Sequence, residues 1–321
     1  MKFSKRLLFA ITILFIIANV FVFIKRNKGF EYVRYSDTDK LYPADPDNSF
    51  LKKWNRYNEK FSKTELLQGL SVLNENIGID TISNEEDRAI SIAGWLHTSF
   101  YGQLGNPDNS LSNLNPIQQY RYLQIHKEKQ LWCGHYQAMF GFFCTAAGLQ
   151  NRYIEITPKK ESTDDSYHEI NEVYLPRIKK WMMVDATRNF LSIKKEGQVF
   201  SASGYFDYML NKQISPIFIT AVDSHSVLIQ QKRAGELFED KYFNDNHALR
   251  YYLSMDLSRV YGIGSKIKRY VFGESWYEMY DPKNHHSNYL FRIRQFLFFG
   301  LIAEFLLLVL STIRNKRLRK I

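Results

Sequence analysis

Residues 133–147 read Cys-Gly-His-Tyr-Gln-Ala-Met-Phe-Gly-Phe-Phe-Cys-Thr-Ala-Ala and are followed by Gly148. Cys133, Tyr136, Phe140, Cys144 and Ala147 recur at i, i+3, i+7, i+11 and i+14, one face of an α-helix. Gly148 suits the C-terminal stop. The helix therefore opens on Cys133. Downstream, Asn151–Ile156 alternates Tyr153 and Glu155 with Ile154 and Ile156 and reads as a strand. His168–Leu175 is a second strand and Trp181–Asp185 a third, joined through a connection short enough for a hairpin. One helix followed by sequential antiparallel strands predicts an α+β fold.

A cysteine at a helix N-terminus sits among amide groups without intrahelical partners, at the positive end of the helix dipole. Both favour the thiolate, which is the nucleophilic form. Cys133 occupies that place. Cys144, deep in the same helix between Phe143 and Thr145, reads as a small buried apolar side chain. Eleven residues at about 1.5 Å each separate the two Cα atoms by roughly 16 Å, too far for a disulfide, so both thiols are expected free.

A nucleophilic cysteine needs a base, and the base needs an orienting partner. Paired positions in an antiparallel hairpin have a constant sum, here about 354–356 for a turn near 177–178. His168 then lies opposite 186–188, with Asp185 a close neighbour. Alternation sets His168 on one face with Ile170 and Glu172, and Asp185 with Met183 and Trp181. The two side chains meet if the register allows it.

The stretch Cys133-Gly134-x-x-x-Ala138-x-Phe140, then Ala147-Gly148-Leu149-x-x-Arg152, is followed by His168-x-x-x-Glu172-Val173-Tyr174 and by Trp181-Met182-Met183-Val184-Asp185-Ala186-Thr187. This resembles the transglutaminase-like superfamily of papain-like cysteine enzymes, over 133–190 or, at its widest, 84–190. The resemblance implies that Cys133 is the nucleophile, His168 the general base and acid, and Asp185 its orienter. The sequence departs from the family where an aromatic often follows the histidine by two residues; here Ile170 stands. For the oxyanion, the backbone amide of Cys133 is one donor expected at a helix N-terminus. Trp95 and Gln103 are side-chain candidates by residue type. His135 reads as a solvated or supporting histidine, and His285-His286 as solvated. With no Gly-rich phosphate loop, CxxC pair or metal-ligand cluster, neither cofactor nor metal is expected.

Farther upstream, Ser83-Asn84-Glu85-Glu86 has a capping-box pattern. It precedes Ala89, Ala93, Leu96 and Phe100 at helical spacing, which predicts a helix over 84–100. Gly105–Pro116 reads as a loop, and 29–60, with Pro43 and Pro46, as a linker. Beyond 190 the pattern suggests a strand at Ile217–Val222 and helical pieces within Ala234–Tyr252 and Tyr270–Tyr280.

The 321 residues carry a net charge of +10. Thirteen Lys or Arg against the single acid Glu304 lie in 1–28 and 291–321. That balance of +12 leaves residues 29–290 at −2, with no basic stripe for nucleic acid. Leu7–Ile24 is an 18-residue run without a charge, and Phe296–Ile313 is a second run whose one charge is Glu304. Each is near the length of a bilayer span. The first ends in Phe-Ile-Lys-Arg and lacks a small-x-small cleavage site, which favours an uncleaved anchor. Eight basic residues on the outer flanks against five on the inner ones predict both termini in the cytoplasm and the 29–290 body outside the inner membrane. A Glu304–Asn19 hydrogen bond is expected to join the spans.

The chain thus reads as a flank and transmembrane helix (1–28), a linker with N-terminal helices (29–83), a transglutaminase-like catalytic core (84–190), a C-terminal extension (191–290), and a second transmembrane helix with a basic tail (291–321). The expected chemistry is acyl transfer on an amide of a peptide or protein substrate, through a thioester. Water as acceptor makes a protease or amidase; an amine makes a cross-linker. A non-catalytic scaffold in envelope or surface-polymer assembly is the rival of a different class. The partners expected are that substrate and the lipid bilayer, and the oligomeric state is left open.

Overall fold

The computed structural model describes residues 5–24, 34–35, 41, 43, 46–47, 51, 61–159, 167–212, 215–222, 227–233, 236, 241–252, 277–283 and 289–318. The chain forms two compact units, one of residues 1–35, 257–275 and 286–321, the other of 36–256 and 276–285.

The first unit holds α1 (Lys5–Ile24) and, from the far end of the chain, α8 (Tyr289–Leu318). Phe15 and Phe296 meet with ring centroids 6.1 Å apart, and Gly300 seats the Phe15 ring where a Cβ would clash. The Asn19 carboxamide donates to Phe15 O at 2.8 Å and to Leu297 O at 3.2 Å. The expected Asn19–Glu304 pairing is not among these contacts, because Asn19 lies level with Leu297, seven residues (about 10 Å) before Glu304. Both apolar runs are helical. Among the described residues, however, no helix is long and apolar enough to cross a membrane, so the described fold does not itself support the two transmembrane flanks.

In the second unit, α2 (Lys63–Ile77), α3 (Glu85–Ser99), the single turn α4 (Asn109–Ser112), α5 (Pro116–Ile125) and α6 (Cys133–Ala146) come first. Each start has a physical cause. Ser62 and Glu65 cap α2 reciprocally. Asn84 caps α3 by accepting from Glu86 N at 2.9 Å, so the cap is Asn84 and not Ser83. Asn115 caps α5, with Pro116 in its first turn. The loop expected over Gly105–Pro116 holds only the α4 turn. At the end of α6, Gly148 takes φ +77° and Leu149 N donates to Cys144 O at 2.8 Å, the expected left-handed stop.

The strands β1 (Asn151–Pro158), β2 (His168–Leu175) and β3 (Lys180–Val184) follow, then β4 (Ser192–Lys195), β5 (Gln198–Val199), α7 (Ala202–Leu210), β6 (Ile217–Val222), β7 (Val227–Lys232), β8 (His247–Tyr252) and β9 (Tyr277–Tyr280). The main sheet of this unit runs β9-β8-β1-β2-β3, antiparallel throughout. A smaller sheet runs β5-β4-β6-β7. Alternation divides the core in two. Val173, Leu175, Met182 and Val184 pack with α2, α3, α5 and α6 on one face. Ile170, Tyr174, Trp181 and Met183 pack with α7 and the smaller sheet on the other. The α+β architecture and β6 match the sequence reading. Of the helical pieces expected farther on, the described residues contradict only the ends, and 234–235 and 237–240 lie outside them. Within Ala234–Tyr252, 247–252 form β8, where Leu249 and Tyr251 enter the core at a period of two. Within Tyr270–Tyr280, 277–280 form β9, and 270–276 lie outside the described residues.

Across β1 and β2, Arg152 and Glu172 are register partners, and neither has exposed surface. Arg152 Nε donates to Glu172 Oε2 at 2.5 Å and Nη1 to Leu41 O at 3.0 Å. Its guanidinium carbon lies 4.0 Å from the Trp181 ring centroid and 4.6 Å from that of Tyr251. Glu172 Oε1 accepts from Ala202 N at 2.5 Å, so the same carboxylate receives the first turn of α7. Arg152→Met leaves Glu172 buried without its cation and should cost about 3–5 kcal/mol in urea unfolding, whereas Arg152→Met/Glu172→Leu should recover part of that loss.

Candidate active site

Cys133 is the first residue of α6 and is only partly buried. Its helix is fastened to the sheet one turn later. Gln137 Nε2 donates to Ile154 O at 2.9 Å and Ile170 O at 2.6 Å, and Asn171 Nδ2 donates to Gln137 O at 3.3 Å. Gly141 admits the Tyr153 ring, whose hydroxyl would lie 1.9 Å from an added Cβ. These contacts hold the helix N-terminus beside the first residue of β2, which is His168.

The β2–β3 register pairs Asn171 with Val184 and Glu172 with Met183. Continued outward, it sets His168 opposite Thr187, within the range the sequence predicts, and makes Asp185 its diagonal neighbour on the same face. Asp185 then leaves the ladder. Its N–H donates to Phe190 O at 2.7 Å and its carbonyl accepts from Phe190 N at 2.9 Å. That tight turn aims the carboxylate back at β2. His168 Nε2 donates to Asp185 Oδ2 at 2.5 Å, and Asp185 Oδ1 accepts from Arg188 N at 3.1 Å. The turn is braced from α3 by His97, whose Nδ1 donates to Ala186 O at 2.7 Å.

Cys133 lies beside the His168 ring. Since Nε2 is taken by Asp185, Nδ1 is the ring nitrogen left for the thiol. Burial disfavours a charged His168, but the Asp185 carboxylate, by charge and hydrogen bond, and Cys133 outweigh it and hold the imidazole well above its ordinary value of 6.5. This environment favours a protonated imidazole beside Cys133. Cys144 is fully buried, and its thiol is pushed up by desolvation. Both cysteines are free.

The remaining candidates fall elsewhere. Trp95 packs in the helical core, 5.0 Å edge-on from Phe143 and 5.3 Å from Tyr120. Phe143 lies ten residues, about 15 Å, along the helix from Cys133, so Trp95 does not serve an oxyanion there. Gln103 stands nearer, because its carbonyl accepts from Leu131 N at 2.9 Å; its carboxamide, however, donates to Lys127 O at 3.0 Å. The helix-start amide of Cys133 keeps the position expected of an oxyanion donor. His135 is buried and not solvated. Its Nδ1 accepts from Trp132 N at 3.1 Å and so caps α6, and burial lowers its pKa. His285 and His286 lie outside the described residues. Among the described residues no group of His, Cys, Asp and Glu could hold a metal ion.

Sequence reasoning missed three neighbours. Glu169 follows His168, and its carboxyl lies against Gly134, where an added Cβ would stand 2.4 Å from Oε2. Burial and the cross-strand charge of Glu155 push Glu169 up to about 7, against the opposing effects of His168 and Tyr252. Arg188 and Tyr242 complete the surroundings: the Tyr242 ring stacks on His168 at 4.8 Å and 25°, and Arg188 Nη2 donates to Tyr242 Oη at 2.9 Å. Tyr242 lies in the region whose periodicity is least legible.

No protein-family model matches the chain. No curated protein sequence matches it either. Among solved structures, that of a candidate cysteine protease from Cytophaga hutchinsonii is similar at a TM-score of 0.31 and 16% identity, over 69% of this chain and 68% of that one.

The two histidines bias stability in opposite directions. The raised His168 contributes stability that is complete below pH 6.5 and lost as pH rises through its folded value. The lowered His135 contributes stability that is present above 6.5 and lost as pH falls toward its folded value, since a protonated Nδ1 cannot accept from Trp132. Urea unfolding from about pH 5 to about pH 9 should therefore show the alkaline decline flattened in Asp185→Asn and the acid decline flattened in His135→Gln.

Proposed function

We propose that this chain is a cysteine enzyme that cleaves amide bonds in a peptide or protein by acyl transfer. The observation that carries the reading is the alignment of three groups: a partly buried cysteine at a helix start, an imidazole beside it, and a buried carboxylate 2.5 Å from the imidazole Nε2. The Cys133 thiolate attacks the amide carbonyl, and the oxyanion forms beside the first amide of α6. His168 gives its proton to the departing amine as the C–N bond breaks, leaving a thioester. It then takes a proton from water, whose oxygen displaces the sulfur and releases the acid. Asp185 holds the ring and balances its charge. The motif resemblance to the transglutaminase-like superfamily supports the same roles. An amine in place of water would make a cross-link; water is the more abundant acceptor, and we assign hydrolysis.

Cys133→Ala and His168→Ala should each abolish turnover, and the double variant should be no worse, because such groups act as a unit. Asp185→Asn should keep more activity. Peptides and cross-linked species from cells with and without Cys133→Ala provide the readout. Wild-type products in the His168→Ala strain would overturn the assignment. A brief iodoacetamide pulse should label Cys133 and spare Cys144 until the protein unfolds.

The reading includes a two-pass membrane anchor, with both termini cytoplasmic and 29–290 outside. The two apolar runs and the basic excess on their outer flanks support it. So does the pairing of Phe15 with Gly300 and of Asn19 with Leu297, since the two helices then run antiparallel. Reporter fusions at Ile321 and within 105–115 should report opposite sides of the membrane. A cytoplasmic signal from the 105–115 fusion would reverse the topology.

A further inference from the structure

We infer that Tyr242 is a positioning residue of the reaction proposed above: its ring covers the His168 imidazole, keeps water from the His168–Asp185 hydrogen bond, and holds the ring plane toward Cys133. The inference rests on that proposed function and deepens it.

The geometry is a closed circuit. His168 bonds Asp185 through Nε2 at 2.5 Å. Asp185 Oδ1 accepts the main-chain N–H of Arg188 at 3.1 Å. The Arg188 side chain donates to Tyr242 Oη at 2.9 Å, and the Tyr242 ring returns to His168 at a centroid distance of 4.8 Å, nearly parallel. His168 and Asp185 are each 2% exposed and Tyr242 is 5% exposed. One hydrogen bond alone leaves an imidazole free to rock about that bond. A stacked ring removes that freedom, and by excluding water it keeps the charged hydrogen bond in a medium where it is strong.

The charged and titratable groups around the pair come from every neighbouring element. Cys133 faces His168 from α6, Asp185 from the end of β3, and Glu169 from β2 itself. Around Tyr242 stand Arg188, at 5.2 Å from the ring centroid, Lys241 at 5.4 Å, and the His247 ring of β8 at 6.4 Å. Asp185 is the carboxylate bonded directly to the imidazole. Anything that lets water between the two therefore lowers the affinity of His168 for its proton, and the thiolate–imidazolium pair weakens with it.

The test reads the pH–rate profile of iodoacetamide alkylation at Cys133 in the full chain, with Cys144 as an internal gauge of folding. Tyr242→Leu keeps apolar volume but removes the aromatic face. At about pH 6 its alkylation should fall about tenfold, and the limb governed by His168 should move down by about one pH unit. Tyr242→Phe keeps the ring but loses the Arg188 bond to Oη, and should shift the profile far less than Tyr242→Leu. Arg188→Met keeps the main-chain bond to Asp185 but frees Tyr242, and should shift the profile the same way by less. This variant carries the test if Tyr242→Leu exposes Cys144. Wild-type profiles in Tyr242→Leu and Arg188→Met, with a collapsed profile in His168→Ala, would sink the role of Tyr242 and leave the proposed enzyme standing. An unchanged profile in His168→Ala would sink both.

Discussion

The buried pair of Arg152 and Glu172 is the constraint on which the site's geometry depends. Two charges without exposed surface are costly unless every polar atom around them is matched. The match here draws on the whole sheet: β1 supplies the cation, β2 the anion, Trp181 of β3 and Tyr251 of β8 the flanking rings, and Ala202 the first amide of α7. A one-residue slip of β2 against β1 would turn Glu172 to the opposite face and leave Arg152 alone in an apolar core. The pair thus favours a single register. In that register His168 emerges at the start of β2, at the height where α6 begins.

From there the reacting groups follow from short-range rules. The hairpin register puts Asp185 on the diagonal of His168, and the Asp185–Phe190 turn directs its carboxylate inward. Gln137 binds two sheet carbonyls at once and fixes the helix one turn above the cysteine. None of the three chemical groups is placed by its own contacts alone. Each is carried by an element whose position is set by polar contacts in the core, which is how a side chain is held to a fraction of an ångström.

The parts legible in the sequence are those with local causes. The helix opening on Cys133 was readable from its apolar spacing and Gly148, and the β2–β3 pair from alternation around a short connection. That pair also gave the His168–Asp185 meeting to within one residue of register. The parts that were not legible depend on long-range partners. Trp95 has the residue type of an oxyanion donor, but its indole is committed to Phe143 and Tyr120. His135 lies beside the nucleophile in sequence, yet its ring turns back to cap the helix. Strands β8 and β9 are short, rich in tyrosine and complete only against each other and β1, so no window of the sequence displays their period. The pairing of Tyr242 with His168 is not visible in any local pattern, because the ring comes from a turn far along the chain.

Charge balance around Cys133 leaves one group over. His168 offsets Asp185, and Arg250 offsets Glu155 at 3.2 Å. Among the described residues Glu169 makes no ion pair with Lys or Arg, and the His168 charge only partly opposes its upward shift. Glu169 shares the Tyr252 hydroxyl with Glu155, leans on Gly134 at the start of α6, and stays protonated up to about pH 7. Below that pH the carboxyl is neutral and adds no charge beside Cys133. Above it an anion appears beside the second residue of the helix, where it competes with the sulfur for the same positive helix end. The bland cross-strand pair of glutamates is therefore also the term that sets how negative the site becomes on the alkaline side of neutrality.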